Sequence, residues 1–125
     1  MPYFIVIEFT NKLYLKESYR NVIRRKSVNP NTTARRKIEV VKKWAFGKIL
    51  ELGAGELPIF KESIKIDIYP FKKKNYRTGD CNVSFPISRW EKYDTVVACE
   101  LLEHIHDIDS FFNECRRVLT PNGKL

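Results

Sequence analysis

Ile49-Leu50-Glu51-Leu52-Gly53-Ala54-Gly55 is the stretch whose reading decides the fold. Its nearly continuous apolar start has the pattern of a strand covered on both faces, as in a parallel sheet. Gly53 and Gly55 end it, and without Cβ atoms they let a ligand approach the backbone. Glu51 places a carboxylate near the end of that buried strand, so a binding site is expected above the turn. The dinucleotide fingerprint needs a third glycine where this chain has Pro58, and only the eight residues Glu56 to Ser63 lead to the next apolar run. A crossover helix that cradles a pyrophosphate on its N-terminus does not fit there, which disfavours a nicotinamide dinucleotide and prefers a ligand without phosphates.

Working outward from the turn, Ile64-Lys65-Ile66-Asp67-Ile68 reads as a second strand, stopped by Tyr69-Pro70. Tyr76 to Asp80 reads as a short third strand, and Asp94 to Cys99 as a fourth. From about Asp109 to Leu119 the period changes: Ile108, Phe111, Phe112, Cys115, Val118 and Leu119 fall on one helical stripe. Asp107 and Asp109 before it and Arg116 and Arg117 near its end suit the helix macrodipole. Thr120-Pro121-Asn122-Gly123 is expected to turn the chain. The order strand, glycine turn, strand ending in an acid, further strands and helix is that of a Rossmann-like, doubly wound, mostly parallel α/β sheet with four strands present. The fourth strand is then expected to have an open edge, to be covered by a partner chain or a second copy, or else the chain is a fragment.

The N-terminal third is different. Residues 1–48 carry 12 Lys/Arg against 3 Asp/Glu, a balance of +9, whereas the remainder of the chain sums to −1. Residues 1–47 are read as a basic segment and 48–125 as the ligand-binding part. Asn29-Pro30-Asn31-Thr32-Thr33 breaks the chain and offers cap residues. Ala34, Ile38, Val41 and Ala45 then follow at helical spacing, predicting a helix over about 34–46 that Gly47 stops. The pattern of residues 3–16 fits a hairpin or a helix equally. The basic charge is compatible with a solvated helix surface or with an anionic acceptor such as RNA.

Mean composition is globular, with 43% hydrophobic and 30% charged residues in 125. No apolar run is long enough for a membrane span. Cys81, Cys99 and Cys115 form no C-x-x-C pair, which argues against a zinc site and for reduced thiols in the cytoplasm.

Two further acids suit a nucleoside. Asp67, at the end of the second strand, can accept both hydroxyls of a ribose, or can merely start the Tyr69-Pro70 turn. Asp80 in Gly79-Asp80-Cys81-Asn82 can accept an adenine amino group while the next backbone N–H reaches a ring nitrogen, or can form an Asx turn. Ile49 to Gly55, Ile66-Asp67, Gly79-Asp80 with Phe85-Pro86, Tyr93 to Ile105 and Arg116 to Gly123 together resemble the successive motifs of class I S-adenosylmethionine-dependent methyltransferases. The resemblance covers about residues 36–125, and it departs from the family in the short stretch after Gly55 and in Asn122, where glycine is usual.

By matching position the resemblance implies that Glu51, Gly53, Ala54 and Gly55 line the methionine side. It implies likewise that Asp67 and Ile68 meet the ribose, that Asp80 and Cys81 meet the adenine, and that Cys99, Glu100 and Leu101 flank the transferable methyl. The family's sheet has seven strands, and this sequence stops near the fifth. The expected activity is methyl transfer from S-adenosylmethionine to a small-molecule or RNA acceptor; the alternative is a non-catalytic nucleoside-binding or scaffold subunit. Glu100, Glu103 and His104 fall on one helical face and have three readings: a divalent-cation site, a general base in His104, or pocket lining. No metal is expected, and His104 is the catalytic candidate.

Overall fold

In a computed structural model the structure describes residues 38–99 and 101–125. The expectations for residues 3–16 and 29–37, and for Glu100, lie outside those residues. Five strands form one sheet: β1 (Ile49–Leu52), β2 (Ile64–Asp67), β3 (Tyr76–Thr78), β4 (Tyr93–Val97) and β5 (Leu119–Lys124), ordered β3-β2-β1-β4-β5. Every neighbouring pair is parallel. The order reverses between β1 and β4, and a doubly wound sheet opens a crevice at the carboxyl ends of its strands at such a reversal.

The alternation of β1 and β2 sorts side chains onto two faces. In register, Leu50 meets Ile64 and Val96, and Leu52 meets Ile66, while Glu51 meets Lys65 and Val97. Leu50, Leu52, Ile66 and Val96 join Phe85, Phe111, Phe112, Cys115 and Val118 in one buried cluster. The last four belong to helix α1 (Ile108–Val118), whose apolar stripe was legible from its spacing. Asp107 caps it, accepting from the Ser110 N–H at 3.1 Å and from the Ser110 hydroxyl at 2.7 Å, and these two bonds hold its carboxyl below the usual range. Phe111 stands edge-on to Phe85 and to Phe112, with centroids 5.8 and 5.6 Å away. Each fully buried aromatic or aliphatic side chain of this kind contributes on the order of 1.5 to 3 kcal/mol relative to exposure.

Arg117, late in α1, fixes the loop that leads into β4. It donates to Glu114 Oε1 at 2.8 Å and to the carbonyl of Ile87 at 3.0 Å, while Glu114 Oε2 accepts from Phe85 N–H at 2.8 Å.

The edge of β4 is not open. β5 of the same chain pairs with it, so neither a second copy nor a partner is needed there. The sequence signal failed because Thr120-Pro121-Asn122-Gly123 is turn chemistry, and the strand accommodates it by a shift. Tyr93 faces Leu119, yet Thr95 faces Lys124, so five steps along β5 oppose two along β4. Four strands were expected and five are present.

Residues 38–44 are helical, within the bounds expected, and Gly47 with φ 61° follows. A Cβ there would lie 2.1 Å from Asp94 Oδ2, the oxygen that accepts from Lys48 N–H at 2.7 Å. Only glycine fits both the left-handed dihedral and the close carboxylate. The segment is fastened to the sheet by Thr95, whose hydroxyl donates to the Phe46 carbonyl at 2.7 Å and accepts from the Phe46 N–H at 2.9 Å. Among the described residues no helix is long and apolar enough to cross a membrane.

Candidate binding cleft at the sheet reversal

A cavity of about 420 Å³ opens at the carboxyl ends of β1 and β4, lined by Glu51, Gly53, Gly55, Glu56, Val97 and Cys99 among others. The glycine turn forms its floor. Gly53 and Gly55 have φ of 61° and 65°, and all three N–H groups of the turn are spent inside the chain. Those of Gly53 and Ala54 donate to the Ile66 carbonyl at 2.8 and 3.4 Å, and that of Gly55 donates to Asp67 Oδ2 at 2.8 Å. A phosphate is cradled by unspent backbone donors, and this turn presents none.

Gly55 is the most open point. A Cβ built on it would meet nothing within 4 Å, whereas one on Gly53 would meet Leu101 Cδ1 at 3.1 Å. A side chain at Gly55 would therefore project into free space beside the turn, and one at Gly53 would press on a neighbouring leucine.

Asp67 binds the turn and the loop beyond β2 with separate oxygens: Oδ2 takes Gly55 N–H, and Oδ1 takes Tyr69 N–H at 2.9 Å. It starts the Tyr69 turn, as one reading of its sequence has it, and it also faces the glycine floor. Each carboxylate oxygen accepts more than one bond, so both keep acceptor capacity. Ile68 beside it is 69% exposed, an apolar side chain on the surface that is not among the residues lining the cavity. Asp80 Oδ1 accepts from Asn82 N–H at 2.9 Å, the Asx turn that its sequence allows. Cys81 is buried in the core cluster, and burial, with Asp80 and Asp67 nearby, pushes its thiol up to about 12. Its side chain is thus a packing group.

Glu51 is 3% exposed and both oxygens of its carboxylate are engaged. Oε1 accepts from Ile59 N–H at 2.7 Å, and Oε2 accepts from Phe60 N–H at 3.2 Å and from the Ser63 hydroxyl at 2.5 Å. It lines the cleft while tying down the β1–β2 connection. Lys65, opposite it in register, is 2% exposed and donates to the carbonyls of Ser63 at 2.7 Å and Lys61 at 3.2 Å. Burial lowers its pKa, and Glu51 and Glu62 oppose that shift.

Sequence reasoning passed over four residues here. Lys65 and Ser63 look like solvent-facing polar positions in an alternating strand; Tyr76, whose hydroxyl donates to the Gly55 carbonyl at 2.6 Å, looks like ordinary strand packing. Asn82 is the fourth. It donates to the His104 carbonyl at 3.0 Å and accepts from His106 N–H at 2.8 Å, fastening the segment after β4 to the Asp80 loop. Only the shortness of the β1–β2 connection hinted that side chains must replace a covering helix.

Glu103 and His104 lie in a short 3-10 turn, Leu102–His104, and not on a long helical face. The His104 side chain is 74% exposed, with Nε2 4.0 Å from Glu103 Oε1. Among the described residues no group of three metal-ligating side chains converges.

Residues 61–125 match a family described as "Methyltransferase domain", 65 of the 125 residues. The chain is also similar to the ubiquinone biosynthesis O-methyltransferase of Pelagibacter ubique (strain HTCC1062), with 33% identity over 75 residues. That match covers 58% of this chain and 31% of the relative, so the chain spans about a third of the length of the curated protein it matches.

Proposed function

We propose, from the premise that this chain belongs to the methyltransferase domain family, that its cleft binds S-adenosylmethionine and serves methyl transfer to an acceptor oxygen. The observation that carries this reading is the glycine floor: every N–H in it is already satisfied, while the space beside Gly55 is open. Such a floor suits a ligand that packs on bare backbone and finds its polar partners in side chains. Asp67 has acceptor capacity for ribose hydroxyls, Ile68 offers an apolar edge for the base, and Asp80 stands at the end of the next strand for its amino group. Glu56, exposed at the cleft wall, adds a carboxylate for an ammonium group.

When bound, S-adenosylmethionine supplies a methyl group activated by its positive sulfur. The chain's own contribution is orientation, because an acceptor held in line with the activated bond gains most of the acceleration from placement. The acceptor atom is taken from the relative, whose name specifies an O-methyltransferase. A hydroxyl acceptor must lose its proton, and His104 is the candidate base from the segment after β4. Loss of methyl transfer in His104→Asn with S-adenosylhomocysteine binding retained supports that role; an unchanged His104→Asn overturns it.

The alternative of a non-catalytic scaffold subunit drew on the missing strands of the sheet, and β5 supplies one of them and covers the β4 edge. The buried thiols Cys81 and Cys115 suit a reducing compartment such as the cytoplasm. Calorimetric titration with S-adenosylhomocysteine tests the cleft. Saturable binding is expected, weakened by Asp67→Ala, and a folded sample that gives no binding at high micromolar ligand overturns the reading.

A further inference from the structure

Gly55 is held at both ends of its residue by side chains from two different strands. Its N–H donates to Asp67 Oδ2 on β2, and its carbonyl accepts from the Tyr76 hydroxyl on β3, at 2.8 and 2.6 Å. Between those two anchors the residue sits at φ 65° with nothing within 4 Å of the missing Cβ. A glycine so free of steric constraint explores left- and right-handed dihedrals with nearly equal ease, so its conformation must be imposed from outside. No helix follows the turn to impose it, because the connection reaches β2 at Ile64.

Tyr76 is itself firmly placed. Its backbone N–H donates to the Lys73 carbonyl at 3.3 Å, its ring meets Phe71 at 5.3 Å between centroids, and the Lys65 ammonium lies 5.9 Å from the ring centre. Burial, with Glu51, Asp67 and Glu56 nearby, raises the phenol's pKa, so the hydroxyl remains a donor throughout the neutral range.

We infer that Tyr76 is a positioning residue for ligand binding: from β3, across β2, its hydroxyl holds the Gly55 carbonyl so that the cleft floor is preorganised before a ligand arrives. The inference rests on the reading of the cleft given above. It assigns to a residue two strands away from β1 a share of cofactor affinity, with no contact between the phenol and the ligand. Loss of the hydroxyl leaves Gly55 held only by Asp67, and ligand binding must then order its carbonyl side.

The test compares Tyr76→Phe with Tyr93→Phe in the full chain. Tyr93 also donates its hydroxyl to one acceptor, Glu91 Oε2 at 3.1 Å, a carboxylate that pairs with Arg77 and makes no bond to the glycine turn. Each variant loses one phenolic hydrogen bond and keeps its ring, the acceptor being a backbone carbonyl for Tyr76 and a carboxylate for Tyr93. Expected for Tyr76→Phe is a dissociation constant for S-adenosylhomocysteine raised about tenfold, the equivalent of one net hydrogen bond, with faster amide exchange at Gly55. Expected for Tyr93→Phe is an unchanged constant and unchanged Gly55 exchange, with a thermal midpoint lowered at least as much as in Tyr76→Phe, since the buried Tyr93 loses a bond to a carboxylate. A parent-like constant in Tyr76→Phe overturns the inference and leaves the cleft reading intact. Equal weakening in both variants also overturns it, since general destabilisation then suffices. No binding by the folded parent overturns the cleft reading and this inference together. Should Tyr76→Phe fold poorly, Tyr76→Leu keeps an apolar side chain with no hydrogen-bond donor for that carbonyl, and the same two readouts decide.

Discussion

The two faces of the sheet solve the same problem by different physics. On one face Leu50, Leu52, Ile66 and Val96 lie beneath Phe111, Phe112, Cys115 and Val118 of α1, and the cover is apolar, helical and non-directional. On the other, Glu51, Lys65 and Thr95 are buried although polar, and the cover over Glu51 and Lys65 is a loop fastened by hydrogen bonds. The cause is length. A helix can present a stripe of side chains, but a connection of residues 53–63 cannot, so it presents backbone N–H and C=O groups, which require polar partners from the sheet below. The apolar face supplies stability that tolerates small shifts, because burial scales with area. The polar face supplies geometry, since each bond fixes a particular atom, and the candidate site lies on that side.

The largest effect that would test this contrast is on the apolar face. Phe111→Ala removes a side chain that is 2% exposed and touches two other aromatics, and should cost about 3 to 5 kcal/mol of stability in chemical denaturation. A loss below about 1 kcal/mol would mean that α1 does not carry the core. Next comes Glu51→Gln, which keeps the shape but sets an amide NH2 against either the Ile59 N–H or the Phe60 N–H and Ser63 hydroxyl, and removes the negative charge beside Lys65. It should cost about 2 to 3 kcal/mol and loosen the loop, read as faster amide exchange at Ile59 and Phe60. Unchanged exchange would show that the loop is held by packing and that the two faces are alike after all.

Asp67→Ala sharpens the comparison on the site itself. It removes the acceptor of Gly55 N–H and of Tyr69 N–H and should weaken S-adenosylhomocysteine about tenfold to fiftyfold in titration, with the apolar core untouched. The smallest effect is electrostatic. Hydrogen bonding to Arg117, against a smaller cost of burial, holds the Glu114 carboxyl below its ordinary value of 4.5. The unfolded chain therefore takes up this proton first, so the pair's stabilisation is present above about pH 4.5 and is lost as pH falls through the lower folded value. At a side-chain exposure of 22% for Glu114 the pair is worth at most about 1 kcal/mol, and Glu114→Gln should flatten the acid limb of stability against pH by that amount.

How much of this was legible depends on the range of the interaction that decides it. Ile49 to Leu52, Ile64 to Asp67, the glycine turn and the stripe of α1 are local patterns, set by side-chain alternation and by the absence of a Cβ, so the sequence by itself determined them. The position of Asp67 at a strand end followed from the same alternation, and so did the lack of room for a helix after Gly55. Tertiary structure alone decided the rest. Leu119 to Lys124 carries proline, asparagine and glycine and becomes a strand only because β4 offers it a ladder, with a register shift to absorb the turn. Lys65 has the alternation of an exposed residue and is buried because the loop folds over it. Tyr76 acquires its role from a carbonyl 21 residues earlier. Periodicity states which side of a strand a residue occupies; what covers that side is fixed by chain segments distant in sequence, and the use of each polar atom follows from that cover.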